Sequence, residues 1–186
     1  MPFSGTILAL DVATNTGICD GVPGCTPKLS TVSWRRDKSD DVAAIYGHAI
    51  GWMAARLKDD PPALVVIERP VPPSGAFGAT NHQTTLITIG LFGVFCGVAS
   101  AKSIEVLEAP ISTWRKFALG AGNLAGKVAK QRAVELCAHL SWQAQDHNAA
   151  EAACIWLYAC SLRAPQVAHR PEPLFTAITK SRRRAA

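Results

Sequence analysis

The chain has 186 residues, 48% hydrophobic and 18% charged, enough for one packed domain and little room for a second. Its net charge is +5 and its pI about 9.0, with basic residues gathered in 28–38, 115–132 and 180–184, a balance that suits a polyanionic partner. Six scattered cysteines without a CxxC pair argue against a zinc site, and the absence of a basic stretch within Met1 to Thr6 argues against a secretory leader, so a reduced, cytoplasmic protein is expected.

The first element is a strand, Thr6 to Asp11, whose apolar run Ile7-Leu8-Ala9-Leu10 ends on a carboxylate. After a turn of Thr, Asn and Gly come a second strand around Gly17 to Val22 and a third near Leu29 to Trp34, together an antiparallel meander. Asp40 to Leu57 places Val42, Ile45, Ala49, Trp52, Met53 and Leu57 at helical spacing, and Pro61 and Pro62 follow. Ala63 to Ile67 is a short apolar strand that runs into Glu68. The segment Pro70 to Asn81 is rich in Pro and Gly and long for a plain connection, which marks it as functional.

Leu86 to Ala101 holds 16 residues without a charge. A membrane span needs about 20, so the expectation is a core helix over 85–101 in a soluble protein. It is apolar nearly all round, which predicts burial on all sides. A strand at Ile104 to Leu107, a short helix from Ser112, a loop at Gly120 to Gly126, an amphipathic helix Lys127 to Leu140 and a last helix His147 to Leu162 complete the domain, residues 1–164. Residues 165–186 read as a polar, basic tail. Strands first, then strands alternating with helices, predict an α/β three-layer domain around a mixed sheet.

Asp11 and Glu68 each stand where an apolar strand leaves the sheet, the place where ligands collect in open α/β sheets. Taken singly, Asp11 is explained by a turn cap and Glu68 by a surface pair with Arg69. Glu151 changes the balance, because it opens the core-facing stripe of the last helix, with Asn148 and His147 three and four residues before it on one face. Asp146 fits as the N-cap, a position from which it still reaches a site. Two strand-end carboxylates and a helix acid repel one another unless cations lie between them, which makes a two-Mg²⁺ site the reading of the set.

The stretches ILALDVATNTG, VVIERP and DHNAAEAACIW, in that order, resemble the RuvC-like Holliday junction resolvases of the RNase H-like superfamily. The resemblance covers about residues 5–162. It implies a mixed five-stranded sheet flanked by helices and a homodimer formed through the glycine-marked helix of Gly90, Gly93 and Gly97. It also implies cleavage of branched DNA with two Mg²⁺ ions, for which Mn²⁺ substitutes. Asp11 matches the family's first-strand Asp, Glu68 its strand-end Glu, and Glu151 its final acid, more often Asp. Asn148 falls where the family has another acid, so the fourth ligand is either Asn148 or Asp146, with charge favouring Asp146. The implied DNA contacts are Thr14, Thr16, Arg115, Lys116, Lys127 and Lys130, the last two on a basic helix after GAGNLAG.

Three other functions fit parts of the pattern. An actin or sugar-kinase type of nucleotide-binding fold also places Asp before a Gly/Thr turn, but it needs a second domain and a second phosphate loop. A nuclease for RNA or other branched intermediates keeps the fold and changes the substrate. A DNA-binding module without catalysis is motivated by Asn148 and Glu151.

Overall fold

The computed structural model describes residues 3–70 and 82–169. Most of the expected functional loop, 70–81, and of the expected basic tail, 165–186, therefore lies outside the described residues. Five strands form one sheet: β1 (Ile7–Asp11), β2 (Asn15–Gly21), β3 (Lys28–Ser33), β4 (Leu64–Glu68) and β5 (Glu105–Ala109), in the order β3-β2-β1-β4-β5. β1 is central, antiparallel to β2 and parallel to β4; β2 and β3 make the meander, and β4 and β5 run parallel. The helices are α1 (Val42–Asp59), α2 (His82–Ala101), α3 (Ile111–Leu119), α4 (Gly126–His139) and α5 (His147–Arg163). This is the mixed five-stranded α/β architecture expected from the sequence, with most boundaries within two residues.

Side chains alternate across a strand, so an apolar run without polar breaks must be covered on both faces. Ile7 and Ala9 of β1, with Leu64 and Val66 of β4, pack into a core with α3, α4 and α5. Leu8, Leu10, Val65 and Ile67 pack on the opposite face against α1 and α2. Asp11 and Glu68 continue the first set, so the alternation that builds the core also aims both carboxylates toward α5.

α5 is the helix that is buried nearly all round, with Ala149 through Leu157 and then Ala159 and Cys160 closed off from solvent. Its alanines let it lie close between the sheet and the pair α3 and α4. Gly17 opens the same space on the strand side: a Cβ there would run into the backbone carbonyl of Asn148. The Trp156 indole Nε1 donates to the Ile7 carbonyl at 3.1 Å and ties the middle of α5 to β1.

The expectation that α2 is buried on all sides is corrected. Its packed stripe is Ile87, Leu91, Phe95 and Ala99, at four-residue spacing, while Leu86, Ile89, Gly93 and Gly97 face outward. The reason is that only one layer covers this helix, whereas α5 has neighbours on both sides. The charge-free run also extends further than 16 residues: Gln83–Ala101 is a 19-residue stretch of α2 with mean hydropathy 1.8, by length and composition enough to cross a membrane. Gly90 differs from the other two glycines, because the Tyr46 ring of α1 occupies the space its Cβ would take, and the Tyr46 hydroxyl donates to the Leu86 carbonyl at 3.0 Å.

Candidate active site

The site lies at the carboxyl ends of β1 and β4. Their register pairs Leu10 with Ile67, so the next residues, Asp11 and Glu68, stand side by side where the strands leave the sheet. Asp11 is also paired with Gly17 of β2, and the first turn of α5 rests on Gly17. Glu151, one turn further along α5, therefore arrives over the same corner. It is one of two buried polar residues among those described, 4% exposed.

The three carboxylates act on one another. Asp11 keeps part of its surface open, yet the packing around it strips away enough water to hold its carboxyl well above the ordinary 3.8. Burial is the main cause, and the charges of Glu68 and Glu151 add to it. Glu68 is pushed up from 4.5 to about 7, chiefly by desolvation; Arg115 and a hydrogen bond from Trp114 pull it down, and Glu151 pushes it up. Glu151 is raised by burial and lowered by Arg115, Lys130 and His147.

Two neighbours from α3 hold this arrangement. The Trp114 indole Nε1 donates to Glu68 Oε2 at 2.9 Å, and Arg115 Nη2 donates to Glu151 Oε1 at 3.2 Å. Neither partnership is visible in the sequence. Trp114 carries no periodic signal separating a core residue from a carboxylate donor, and Arg115 reads there as an outward DNA contact. Glu68 is not paired with Arg69, whose Nε donates instead to Glu108 Oε2 across the β4–β5 pair at 2.6 Å.

Asp146 has partners of its own. It caps α5, with Oδ1 accepting from the Ala149 N–H at 2.9 Å and from the Thr31 hydroxyl of β3 at 2.7 Å. Partial burial raises its carboxyl, but these bonds and the neighbouring His147 outweigh that and hold it below 3.8. Asn148 is half-buried, and its backbone carbonyl lies over Gly17, the residue paired with Asp11.

Of the expected DNA contacts, Lys116, Lys127 and Lys130 are exposed, Thr14 and Arg115 are half-buried, and Thr16 is fully buried. Thr16 is corrected as a contact because its hydroxyl is already engaged. It donates to the Ala13 carbonyl at 2.7 Å and accepts from the Trp34 indole at 2.7 Å, which ties the β1–β2 turn to the end of β3. Lys127, Lys130 and His147 share a depression of about 330 Å³ between α4 and the start of α5, and the Lys130 charge reaches both Asp11 and Glu151.

Three carboxylates at one corner are the hard oxygen donors that Mg²⁺ or Mn²⁺ prefers. Among the described residues, however, no three His, Cys, Asp or Glu side chains stand together in a geometry that would hold a metal as they are. The donor set fits a divalent ion in chemistry, and one of the three acids, Glu151, is paired with Arg115.

No family model and no curated protein sequence matches the chain. Solved structures do. Thermus thermophilus RuvC superposes with a TM-score of 0.62 at 15% identity, covering 86% of this chain and 96% of the other. The same protein in complex with a Holliday junction substrate gives 0.65 at 14% identity, covering 90% and 99%. The chain has the RuvC fold. The yeast mitochondrial Holliday junction resolvase Ydc2 shares it, with a TM-score of 0.59 at 14% identity over 81% of this chain and 75% of its own. Identity this low carries the RuvC fold alone, and the site has to be argued from the side chains.

Proposed function

We propose that the chain is a structure-selective, divalent-metal-dependent endonuclease that cleaves branched DNA, with the four-way junction as its substrate. The observation that carries this reading is the meeting of Asp11, Glu68 and Glu151 at one sheet corner beside the cations Arg115 and Lys130. It is supported by the fold, shared with a RuvC solved on a Holliday junction substrate.

Asp11, Glu68 and Glu151 would hold Mg²⁺, with Asn148 as the fourth donor, since Asp146 is committed to the α5 cap. Bound there, a pair of ions would supply the Lewis acidity to hydrolyse a phosphodiester, leaving 5′-phosphates that a ligase can seal. The chain's own residues do the rest. Trp114 fixes the rotamer of Glu68 through its hydrogen bond, and Gly17 brings Glu151 within reach of both strand ends. Lys116, Lys127 and Lys130 offer exposed charge to the phosphates on either side of the cut.

A four-way junction has two-fold symmetry, which a homodimer matches. The outward face of α2, with Leu86, Ile89, Gly93 and Gly97, is the surface we assign to a second copy: it is apolar and it is smooth enough for helices to approach closely. The nucleotide-binding alternative needs a second domain, and the described strands form a single sheet.

The test is cleavage of synthetic four-way junctions, forks and flaps with and without Mg²⁺. Paired nicks at symmetric positions on the junction support the proposal. Cutting confined to forks or flaps replaces it with a broader debranching nuclease. Tight junction binding without cleavage in any divalent ion replaces it with a non-catalytic binding module, the reading that Asn148 in place of an acid favours.

A further inference from the structure

Arg115 is placed unlike a DNA contact. Its side chain is only 15% exposed, its guanidinium pairs with Glu151, itself 6% exposed at the side chain, and its Cζ lies 5.3 Å from the centre of the Trp114 ring. That stacking locks the guanidinium between the aromatic face and the acids, and the same Trp114 holds Glu68 from its edge. The Arg115 charge acts on Asp11, Glu68 and Glu151 together. Lys130 reaches two of them.

The packing is also incomplete. The Arg115 Nε–H is buried with no hydrogen-bond partner. A buried donor left unsatisfied is costly, and charged ones more so. A guanidinium forms five N–H bonds in a rigid fork and is content only where its whole edge meets acceptors. Here one arm reaches Glu151, while the buried Nε–H has no hydrogen-bond acceptor in the protein. The arrangement eases the repulsion among the acids but does not satisfy the arginine.

We infer that the Arg115 guanidinium is the resident counter-ion of the carboxylate cluster, which a divalent cation must displace, so that Arg115 sets how tightly the site holds metal. This rests on the metal reading proposed above. It bears on two facts at once: three acids meet at one corner with a guanidinium paired to one of them, and among the described residues no three such side chains stand ready to hold a metal. A metal ion held by the acids would compete for the Glu151 oxygen and leave the Nε–H free to meet water or a phosphate. Arg115 is thus a positioning residue, acting through the acids rather than on the bond that is cut.

The experiment is Mn²⁺ titration of the full chain by calorimetry, without DNA, for the wild type, Arg115→Gln and Arg115→Lys. Removing a unit charge this close to the site should tighten Mn²⁺ binding by about tenfold or more in Arg115→Gln. Arg115→Lys keeps the charge and should stay within about threefold of the wild type by the same reasoning. Melting in EDTA should fall for Arg115→Gln and recover with Mn²⁺. In case Arg115→Gln does not fold, the ¹⁵N signal of the wild-type Arg115 Nε–H is followed during Mg²⁺ titration. It should shift, and its exchange with water should quicken, at the midpoint of metal binding. Unchanged or weaker Mn²⁺ binding by Arg115→Gln, or an Nε–H signal that ignores saturating Mg²⁺, overturns the inference while leaving the metal site intact. A wild type that binds neither ion removes the metal reading itself, and this inference with it.

Discussion

Asp146 uses one carboxylate oxygen for two hydrogen bonds, from the Ala149 backbone and the Thr31 hydroxyl, whereas the Asn148 backbone rests on Gly17, the partner of Asp11. Charge alone favours Asp146 as a metal ligand, and the geometry gives that carboxylate a different task. Asp146→Ala should therefore cost about 1 kcal/mol of stability, the usual value of an N-cap, and leave cleavage by the folded fraction within a few-fold. Asn148→Asp should hold or raise the cleavage rate, because it adds an anion beside the other three. Loss of about a hundredfold in Asp146→Asn, with its melting temperature kept, would return the ligand role to Asp146. Acidity gives a second readout at this scale. Glu68 titrates at about 7 in the folded chain against 4.5 ordinarily, desolvation being the main cause. Between those values the folded protein binds a proton that the unfolded chain has released, so stability in EDTA should fall as pH rises through that window. Glu68→Gln should flatten the slope. A melting temperature in EDTA that climbs across the same range would contradict the burial of this cluster.

The elements show which side of a helix is structural and which is free. Gly17 exists for the approach of α5, since a Cβ there would collide with the Asn148 carbonyl. Gly17→Ala should lower stability by about 1–3 kcal/mol, as overpacking does, and should cost more activity than its stability loss explains, because it lifts Glu151 away from Asp11. Equal activity per folded molecule would mean that α5 tolerates the shift. On α2, Gly93 and Gly97 have open space where a side chain would go. Gly93→Trp should consequently leave the protomer folded while blocking a second copy. Light scattering should give about twice 19.8 kDa for the wild type and a value nearer the single chain for the variant. A wild-type monomer, both free and on DNA, would remove the symmetric reading. The sequence led to the opposite view of α2 because composition records that a helix is apolar all round, and says nothing of how many layers are available to cover it.

For the whole molecule, the parts written in local pattern were legible. The apolar runs ending in Asp11 and Glu68 announced two buried strands, the Pro and Gly breaks separated the elements, and Glu151 at the head of an alanine-rich helix pointed to the shared corner. What remained hidden depends on contacts between distant segments. Trp114 meets Glu68 across 46 positions and Arg115 meets Glu151 across 36, and neither pair leaves a spacing signal. Thr16 misled for a related reason: a hydroxyl after a strand-end acid looks available until the Trp34 indole, 18 residues on, is found bonded to it. If the corner of Asp11, Glu68 and Glu151 cuts branched DNA with the help of a divalent ion, as proposed, cleavage must fail when Asp11 loses its charge. The most direct test is Asp11→Asn on a labelled four-way junction in Mg²⁺, with binding and cleavage measured on the same sample. The account predicts binding at least as tight as the wild type, since the lysines carry it, together with cleavage reduced by about a hundredfold or more. Junction cleavage by Asp11→Asn at close to the wild-type rate would contradict it.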